Sequence, residues 1–275
     1  MLVRTVFANI PAYGFCCSPK ENLFFRAQSR KKPSALLTLF NILIHTLVDE
    51  KSIPFPIGYD ELPMTTPPRN TRLLIFAKAP VPGTVKTRLI PALGARRAAA
   101  LQGALIHHIL TIATRTDLAV ELWCHPHHEH PLFSIYAQEF PVVFRTQEGA
   151  DLGARMYHAA REALAAGPVI LIGSDCPTLT AEELREASMM LEGGCDAVLG
   201  PAVDGGYYLL GLNRIDPWLF EGISWGSDRV LEETRRHLRA LGWRWREMFV
   251  KRDMDRPADL AFLPAALKTV IDGFS

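Results

Sequence analysis

The sequence has little of two features that would indicate a class of protein at once, cysteine and net charge. Only five cysteines occur in 275 residues, and none of them forms a CxxC pair. An odd number of cysteines in a chain of this length argues against a disulfide framework and is typical of a reducing compartment. The net charge is only +1, which gives no indication of a nucleic-acid partner. We therefore predict a cytoplasmic protein that binds no nucleic acid.

Long hydrophobic runs are also missing from the first 63 residues. The apolar stretch there, residues 35–48, contains Asn41 and His45. It is shorter than the roughly twenty residues that a membrane span requires, so we predict no transmembrane span. We interpret residues 1–63 as an N-terminal extension, with an accessory helix or an amphipathic anchor as alternatives. We favour Met64 as the true start and predict one domain over residues 64–275.

The best-marked stretch of the chain is 73–89, LLIFAKAPVPGTVKTRL. Its first four residues are apolar, as in a strand that is buried on both faces of a parallel sheet. The loop that follows offers cations, a glycine and a hydroxyl group, which could hold phosphate. These residues are Lys78, Gly83, Lys86, Thr87 and Arg88. The residue before Lys86 is not the glycine of a Walker A loop, and a solvated basic loop is the alternative.

A second candidate anion site lies around Arg155. The segment QEGADLGARM follows a short strand near residues 142–144 and leads into a helix predicted over 152–165. The free N–H groups at a helix start, together with Arg155, could bind an anion. An ordinary strand-to-helix turn with Asp151 as the N-cap is the alternative interpretation.

Three acidic turns are candidates for metal binding and catalysis. Asp175 follows a strongly apolar strand, 168–172, and could hold a divalent metal that bridges a diphosphate. Asp253 or Asp255 could supply a second carboxylate. The alternatives are a plain turn residue for Asp175 and a helix N-cap for Asp255.

The third turn is Asp204-Gly205-Gly206-Tyr207, which follows a strand near 196–199. The glycines would permit a close approach of the backbone, and the tyrosine could stack on a base or a sugar. A hairpin-like turn is the alternative.

Four histidines fall between residues 125 and 130 and could bind a transition metal. They lie in a proline-containing loop with no helical frame to orient them. We interpret them as a solvated loop.

The order of apolar segments predicts the fold class. From residue 72 the pattern indicates β-α-β-(β)-α-β-α-β-β-α-β-α, with helices over about 95–115, 152–165 and 227–241 and another opened by a capping box at 180–183. Such an alternation is typical of an α/β domain, a mostly parallel sheet flanked by helices on both faces.

Five stretches together resemble one family of transferases. They are FAKAPVPGTVKTRL, QEGADLGARM, LIGSDCPTL, LGPAVDGGYYLLGL and RDMDRPADL. In this order they resemble the radical-SAM/selenodomain-associated transferase 1 family, within the nucleotide-diphospho-sugar transferase superfamily. The resemblance covers about residues 72–263. It departs from the family pattern at Arg256, where a threonine is common, and at Ala258, where a glutamate is common.

The resemblance implies a GT-A-type fold with a nucleotide beside the first strand. Lys78, Lys86 and Arg88 would hold its phosphates. Asp175 and Asp255 would hold Mg²⁺ or Mn²⁺, and Asp175 would thereby take part in catalysis. The acceptor would face the Asp204 turn, and Asp204 would be the general base. The remaining residues of that turn are Gly205, Gly206 and Tyr207.

The resemblance favours glycosyl transfer from a nucleotide-diphosphate sugar to a small-molecule acceptor. Nucleotidyl transfer of the guanylyl type, with pyrophosphate release, is the alternative, because the FAKAPVPGTVKTRL loop is similar to the triphosphate loop of the 2-phospho-lactate guanylyltransferases. A second alternative is a non-catalytic nucleotide-binding module.

Overall fold

The structure is a computed structural model and describes residues 71–272. The predictions made for residues 1–63, and for Met64 as the start, lie outside this range. The described residues form a seven-stranded sheet with helices on both faces.

The sheet has the strand order β3-β2-β1-β4-β6-β5-β7. Strand β6 is antiparallel to both of its neighbours, β4 and β5, and every other pair in the sheet is parallel. The prediction of a mostly parallel sheet is therefore confirmed. The strands are β1 (Arg72–Lys78), β2 (Ala119–His125), β3 (Val143–Thr146), β4 (Val169–Gly173), β5 (Ala197–Pro201), β6 (Tyr207–Leu212) and β7 (Trp245–Glu247).

This strand order brings several chain ends to one edge of the sheet. The carboxyl ends of β1, β4 and β5 meet there, and so does the amino end of β6, because that strand runs in the opposite direction. In open α/β sheets ligands bind at this edge. Residues 202–206 join β5 to β6 across it, so the Asp204 turn is also the hairpin-like turn that we gave as its alternative.

The helices follow the predicted alternation with two additions, a four-residue helix at Ile90–Leu93 and a helix between β2 and β3. They are α1 (Ile90–Leu93), α2 (Ala95–Ala113), α3 (Pro131–Glu139), α4 (Leu152–Ala163), α5 (Ala181–Glu192), α6 (Val230–Ala240) and α7 (Ala265–Asp272). Three 3₁₀ helices occupy Thr87–Leu89, Pro217–Phe220 and Pro257–Phe262. Within residues 71–272, no helix has both the length and the apolar character needed to cross a membrane.

The helix α3 corrects the sequence analysis, which predicted no helix between β2 and β3. Proline occupies its first position, and the ring of His130 accepts a hydrogen bond from the Leu132 N–H. Phe133 and Tyr136, three residues apart, bury their side chains on one face. One of the four clustered histidines therefore caps a helix.

The core consists of two large apolar layers, one on each face of the sheet, and a smaller third cluster that includes Leu101, Met254 and Leu267. Strand β1 alternates between the two large layers, since Leu73 and Ile75 pack into one layer and Leu74 packs into the other. This period of two is the geometry of a strand whose neighbours cover both faces. Helices α2, α3 and α5 contribute to the first layer, and α4 and α6 contribute to the second. The carboxyl edge of the sheet is left for the loops that build the site.

Candidate functional site

A cavity of about 340 Å³ opens at the carboxyl edge of the sheet. The ends of β1 and β4 and the start of β6 form its floor, and three loops form its walls. Its volume lies at the lower end of the range for small-molecule sites. The lining divides into an acidic half and an apolar half, which we describe in turn.

The acidic half contains four carboxylates, Asp175, Asp204, Asp253 and Asp255. Asp175 lies two residues beyond β4, where the chain turns before the capping box of α5. Its carboxylate is held by Ser174, whose hydroxyl donates to Oδ1 at 3.2 Å, and its side chain is 44% exposed. It therefore remains accessible from the cavity.

Lys86 connects the loop of Asp175 with the loop of Met254. Its backbone is left-handed, with φ of 48°, which is unusual for a residue with a side chain. The side chain is buried, and Nζ lies 2.8 Å from Asp175 Oδ1 and 2.6 Å from the Met254 carbonyl oxygen. The Met254 N–H in turn donates to the Asp175 carbonyl at 2.9 Å. The residue that we predicted to hold phosphate thus contacts the predicted metal-binding acid.

Asp253 is the most buried carboxylate of the group. Burial, together with the neighbouring charges of Asp175 and Asp204, raises the pKa of Asp253 to about 7. Its Oδ1 atom is buried and has no hydrogen-bond partner. A buried carboxylate oxygen without a partner is costly unless a cation or a proton satisfies it. The sequence analysis named Asp253 only as an alternative to Asp255. Spacing alone does not distinguish the two residues as the second metal-binding carboxylate.

Asp255 lies on the outer side of the same loop. Its carboxylate accepts a hydrogen bond from the guanidinium of Arg88, which also lines the cavity. The loop is fixed by Asp259, whose carboxylate accepts from the backbone N–H groups of Asp255 and Arg256 at 3.2 and 2.8 Å. The N-cap of the 3₁₀ helix is Arg256, and Asp259 accepts from its N–H as the third residue of the helix. Asp255 is therefore not the N-cap that we gave as its alternative, and its carboxylate points to Arg88.

The Asp204 turn lies against the loop that precedes α6. Gly205 has φ of +87°, and a Cβ atom on it would lie 2.1 Å from the Asp228 carbonyl oxygen, so only glycine fits there. The Leu231 N–H donates to the Gly205 carbonyl, and Asp204 Oδ1 accepts from the Gly206 N–H at 2.9 Å. Asp204 is exposed at the mouth of the cavity.

Tyr207 lines the cavity with its ring. Its hydroxyl lies 4.0 Å from the Met156 sulfur, and burial raises the pKa of Tyr207 above its ordinary value. A phenol in such surroundings keeps its proton. Tyr207 therefore offers a surface for packing and no titrating group.

Six of the predicted residues do not line this cavity, and two of them, Lys86 and Gly205, are described above. Gly83 and Thr87 belong to the exposed loop after β1, whereas Lys78 and Arg155 lie near the end of β2. Lys78 is the register partner of His125, and burial, Arg155 and Lys78 lower the pKa of that histidine. The structure thus forms a separate cationic group from Lys78 and Arg155, and these two charges favour the neutral form of His125 beside them. The sequence analysis assigned His125 to a solvated histidine loop, whereas it is the last residue of β2, the strand beside β1.

The apolar half of the cavity was not predicted. Trp225 is half-buried on the loop before α6 and packs against Gly153 at the start of α4. A Cβ atom on Gly153 would lie 2.5 Å from the indole Nε1. The available signal was a tryptophan in the polar segment SWGSD. The other apolar side chains of this half are those of Phe76, Leu152, Met156 and Val230.

The acidic half fits a divalent cation only together with a ligand. Within residues 71–272, no three His, Cys, Asp or Glu side chains are grouped so that they could hold a metal ion. Mg²⁺ and Mn²⁺ sites that use one or two carboxylates take their remaining ligands from substrate phosphates and water. The orphaned Asp253 Oδ1 and the exposed Asp175 carboxylate match that arrangement.

Comparisons with known proteins identify relatives of this chain. Residues 108–227 match the family model DUF2064, described as an uncharacterized protein conserved in bacteria. Among curated proteins none gives a significant match.

Three solved structures illustrate the range of similarity. A protein of Desulfovibrio desulfuricans G20, provisionally named a nucleotide-diphospho-sugar transferase, is 30% identical with a TM-score of 0.67, and the match covers 74% of this chain and 97% of that one. A cytidylyltransferase of Leptospira borgpetersenii is 11% identical with a TM-score of 0.46, over 74% and 93% of the two chains. The glucosyl-3-phosphoglycerate synthase of Mycobacterium tuberculosis, solved with Mn²⁺ and UDP, is 12% identical with a TM-score of 0.45, over 75% and 79%.

The last two similarities are too weak to carry an argument about activity. The first is strong enough to show kinship, because it combines 30% identity with nearly complete coverage of the relative. The sheet described above, flanked by helices on both faces, is the GT-A-like architecture of that relative. The chain therefore belongs to the family of the Desulfovibrio protein, within the nucleotide-diphospho-sugar transferase superfamily.

Proposed function

We propose that this protein is a metal-dependent transferase that uses a nucleotide donor, and we favour glycosyl transfer from a nucleotide-diphosphate sugar. The observation that carries the proposal is the buried Asp253 carboxylate, with an unpartnered oxygen, among three further carboxylates of one cavity. Of the described residues that line this cavity, Arg88 is the one lysine or arginine. Such a lining repels a bare diphosphate and attracts a divalent cation.

The metal would be Mg²⁺ or Mn²⁺, held by Asp175 and Asp255 or by Asp175 and Asp253. When bound, it would supply positive charge that neutralises the diphosphate leaving group. Arg88 is placed to contact the same phosphates, because its guanidinium already lies beside Asp255. Lys86 would act mainly by fixing the Asp175 carboxylate and would have one ammonium hydrogen left for a phosphate oxygen.

The remaining predicted residues would serve the donor farther along the edge. Lys78 and Arg155 form a cationic group at the ends of β1 and β2, which suits a phosphate or a polar part of the nucleotide. The exposed loop with Gly83 and Thr87 would approach the donor through its backbone. These assignments follow from the resemblance together with the positions of the side chains.

In glycosyl transfer, an acceptor oxygen forms a bond to the anomeric carbon of the donor sugar. The bond between that carbon and the diphosphate oxygen breaks, and the electron pair leaves with the nucleoside diphosphate. The acceptor proton passes to a base, for which we propose Asp204, exposed at the mouth of the cavity. Its Oδ1 accepts from the Gly206 N–H, which fixes the orientation of the carboxylate.

Nucleotidyl transfer is the second candidate, favoured by the similarity of the loop after β1 to a triphosphate loop. An acceptor oxygen would then attack the α-phosphorus of a nucleoside triphosphate. The bond from that phosphorus to the bridging oxygen would break, and pyrophosphate would leave. The two reactions use the same acidic half but release different products.

The released product therefore tests the proposal. The full chain is incubated with Mn²⁺ or Mg²⁺ and, separately, UDP-, GDP- and ADP-glucose and the four nucleoside triphosphates, with a mixture of small alcohols as acceptors. Glycosyl transfer predicts a nucleoside diphosphate from one sugar nucleotide and no pyrophosphate. Pyrophosphate from one triphosphate would establish the second candidate instead. Metal-dependent nucleotide binding without either product would leave a non-catalytic binding module.

A further inference from the structure

We propose that the acceptor of this transferase is a hydroxyl compound that carries a flat apolar group, and that this group binds against Trp225. The inference rests on the proposed function and names the class of its acceptor. It follows from three features of the apolar half: its composition, the way in which Trp225 is seated, and its position beside Asp204.

The composition of this half favours an apolar ligand. Trp225 faces it together with Phe76 and Met156, and Leu152 adds a side chain that is 42% exposed. These side chains line the same cavity, and a contiguous apolar patch of this kind is typical of a ligand-binding groove. The lining has three hydroxyl groups, and each already has a neighbour. That of Ser227 accepts a hydrogen bond from the Arg229 N–H, that of Tyr207 lies 4.0 Å from the Met156 sulfur, and that of Tyr208 donates to the Phe249 carbonyl oxygen at 3.2 Å. A sugar or another polyol would find few partners for its hydroxyl groups here.

Trp225 is held in place by contacts on both sides. On one side Gly153 leaves the space that the indole fills, at a distance that excludes any Cβ atom. On the other side the loop is fixed by Glu233, whose carboxylate accepts from the Ser224 N–H at 2.7 Å and from the Ser224 hydroxyl at 3.2 Å. A rigid aromatic side chain that is only half-buried is suited to binding, since little conformational entropy is lost when a ligand stacks on it.

Trp225 lies near the Asp204 turn, where we propose that the acceptor binds. The loop that carries Trp225 packs on the Asp204 turn through the contact of Gly205 with Asp228 and through the hydrogen bond from Leu231. The cationic group of Lys78 and Arg155, which suits the donor, lies at the ends of β1 and β2 instead. A group stacked on Trp225 would therefore bring its hydroxyl toward Asp204.

The test uses two neutral probes, 2-phenylethanol and glycerol, titrated into the full chain and followed by ligand-observed NMR. We expect 2-phenylethanol to bind about tenfold more tightly than glycerol, as aromatic stacking on tryptophan predicts. We expect Trp225→Ala to remove this preference without changing the affinity for glycerol. Trp218→Ala is the matched control, because Trp218 is 41% exposed but stacks on His237 outside the cavity.

A second variant keeps the inference testable if Trp225→Ala does not fold. Leu152→Ser alters an exposed side chain of the same half and should weaken 2-phenylethanol binding about threefold. Equal affinities of the two probes for the wild-type protein would overturn the inference. So would equal losses in Trp225→Ala and Trp218→Ala.

A third arm separates an acceptor group from a nucleobase, which is also flat and stacks on tryptophan. The 2-phenylethanol titration is repeated with saturating UDP and Mn²⁺, and we expect its affinity to stay within twofold. Displacement by UDP would assign Trp225 to the nucleobase and overturn the acceptor class, while the proposed function would stand. Binding of 2-phenylethanol without any metal-dependent binding of nucleotides would overturn the proposed function and the acceptor role together.

Discussion

The two halves of the cavity are built by opposite means. In the acidic half, charged side chains distant in sequence hold one another, as in the contacts of Lys86 with Asp175 and Met254 and of Arg88 with Asp255. In the apolar half, the absence of a side chain at Gly153 lets the Trp225 loop settle on α4. The clustered carboxylates of the acidic half therefore destabilise the free protein, and a bound cation would relieve this. The apolar half is packed without a ligand and carries no such cost in stability. Changes in one half should leave the other intact.

The largest effect is expected from Asp175→Ala. Loss of this carboxylate removes a proposed metal ligand and leaves Lys86 buried without its partner. Turnover of the nucleotide donor should fall on the order of a thousandfold, measured as the rate of product release.

Glu182→Gln is the control for that change, because Glu182 is 81% exposed and pairs with Arg185 on the same helix, α5. Turnover of Asp175→Ala at the wild-type rate would show that the acidic half takes no part in the reaction.

The pH dependence of stability should reveal Asp253. Its pKa is raised from 3.8 to about 7 in the folded chain, so the folded state holds the proton more tightly than the unfolded state. Its contribution to stability is present below pH 4 and is lost as the pH rises through 7. In metal-free buffer, the free energy of unfolding of Asp253→Asn should rise relative to that of the wild type. The rise should be up to about 1.4 kcal/mol per pH unit between pH 4 and pH 7.

The measurement is urea unfolding of both proteins at pH 4, 5.5, 7 and 8.5. Above pH 7 the difference between them should level off. A difference that stays constant over this range would show that Asp253 does not titrate there.

Lys86→Met should destabilise the protein by about 2 kcal/mol, because it leaves the Asp175 carboxylate without its cation and the Met254 carbonyl without its donor. Lys251→Met is the matched control, since Lys251 Nζ lies 2.8 Å from Glu183 and 2.8 Å from the Thr178 carbonyl oxygen. Both variants should unfold at lower urea concentration. Only Lys86→Met should also weaken metal-dependent binding of nucleotides, and equal binding in the two variants would contradict the role of Lys86.

The smallest expected change comes from Gly153→Ala. The added methyl group would overlap the Trp225 indole and push its loop away from α4. Affinity for 2-phenylethanol should fall about tenfold, while metal-dependent nucleotide binding should remain. As a control for general destabilisation, Gly222→Ala strains a backbone with φ of +65° but brings no atom within 4 Å of the new Cβ. It should lower stability and leave both affinities unchanged.

Much of the site could be predicted from the sequence because strand ends meet at one edge. Asp175 follows β4 and Asp204 follows β5, and both line the cavity, while their roles in metal binding and catalysis stay predictions. The sheet itself followed from the alternation of apolar segments. The short helix α3 was missed because it is nine residues long and lies beside a histidine cluster that suggested a loop.

The pairings within the site could not be predicted in the same way. Lys86 and Met254 are 168 positions apart, and no local pattern indicates that the lysine is buried beneath an acid instead of facing solvent. The same holds for Trp225, which contacts Gly153 from a different loop. Such contacts depend on how the loops at the carboxyl edge of the sheet pack against one another. Sequence periodicity carries no information about the packing of loops.

The most direct test of the central claim is nucleotide binding with and without metal. Thermal unfolding of the full chain is recorded with UDP-, GDP- and ADP-glucose and the four nucleoside triphosphates, each alone and with Mg²⁺ or Mn²⁺. At about a hundred times the dissociation constant, a specific nucleotide should stabilise the protein by roughly 2.7 kcal/mol, and only when metal is present. Stabilisation of the same size in EDTA, or no stabilisation by any nucleotide with metal, would contradict a metal-dependent transferase site.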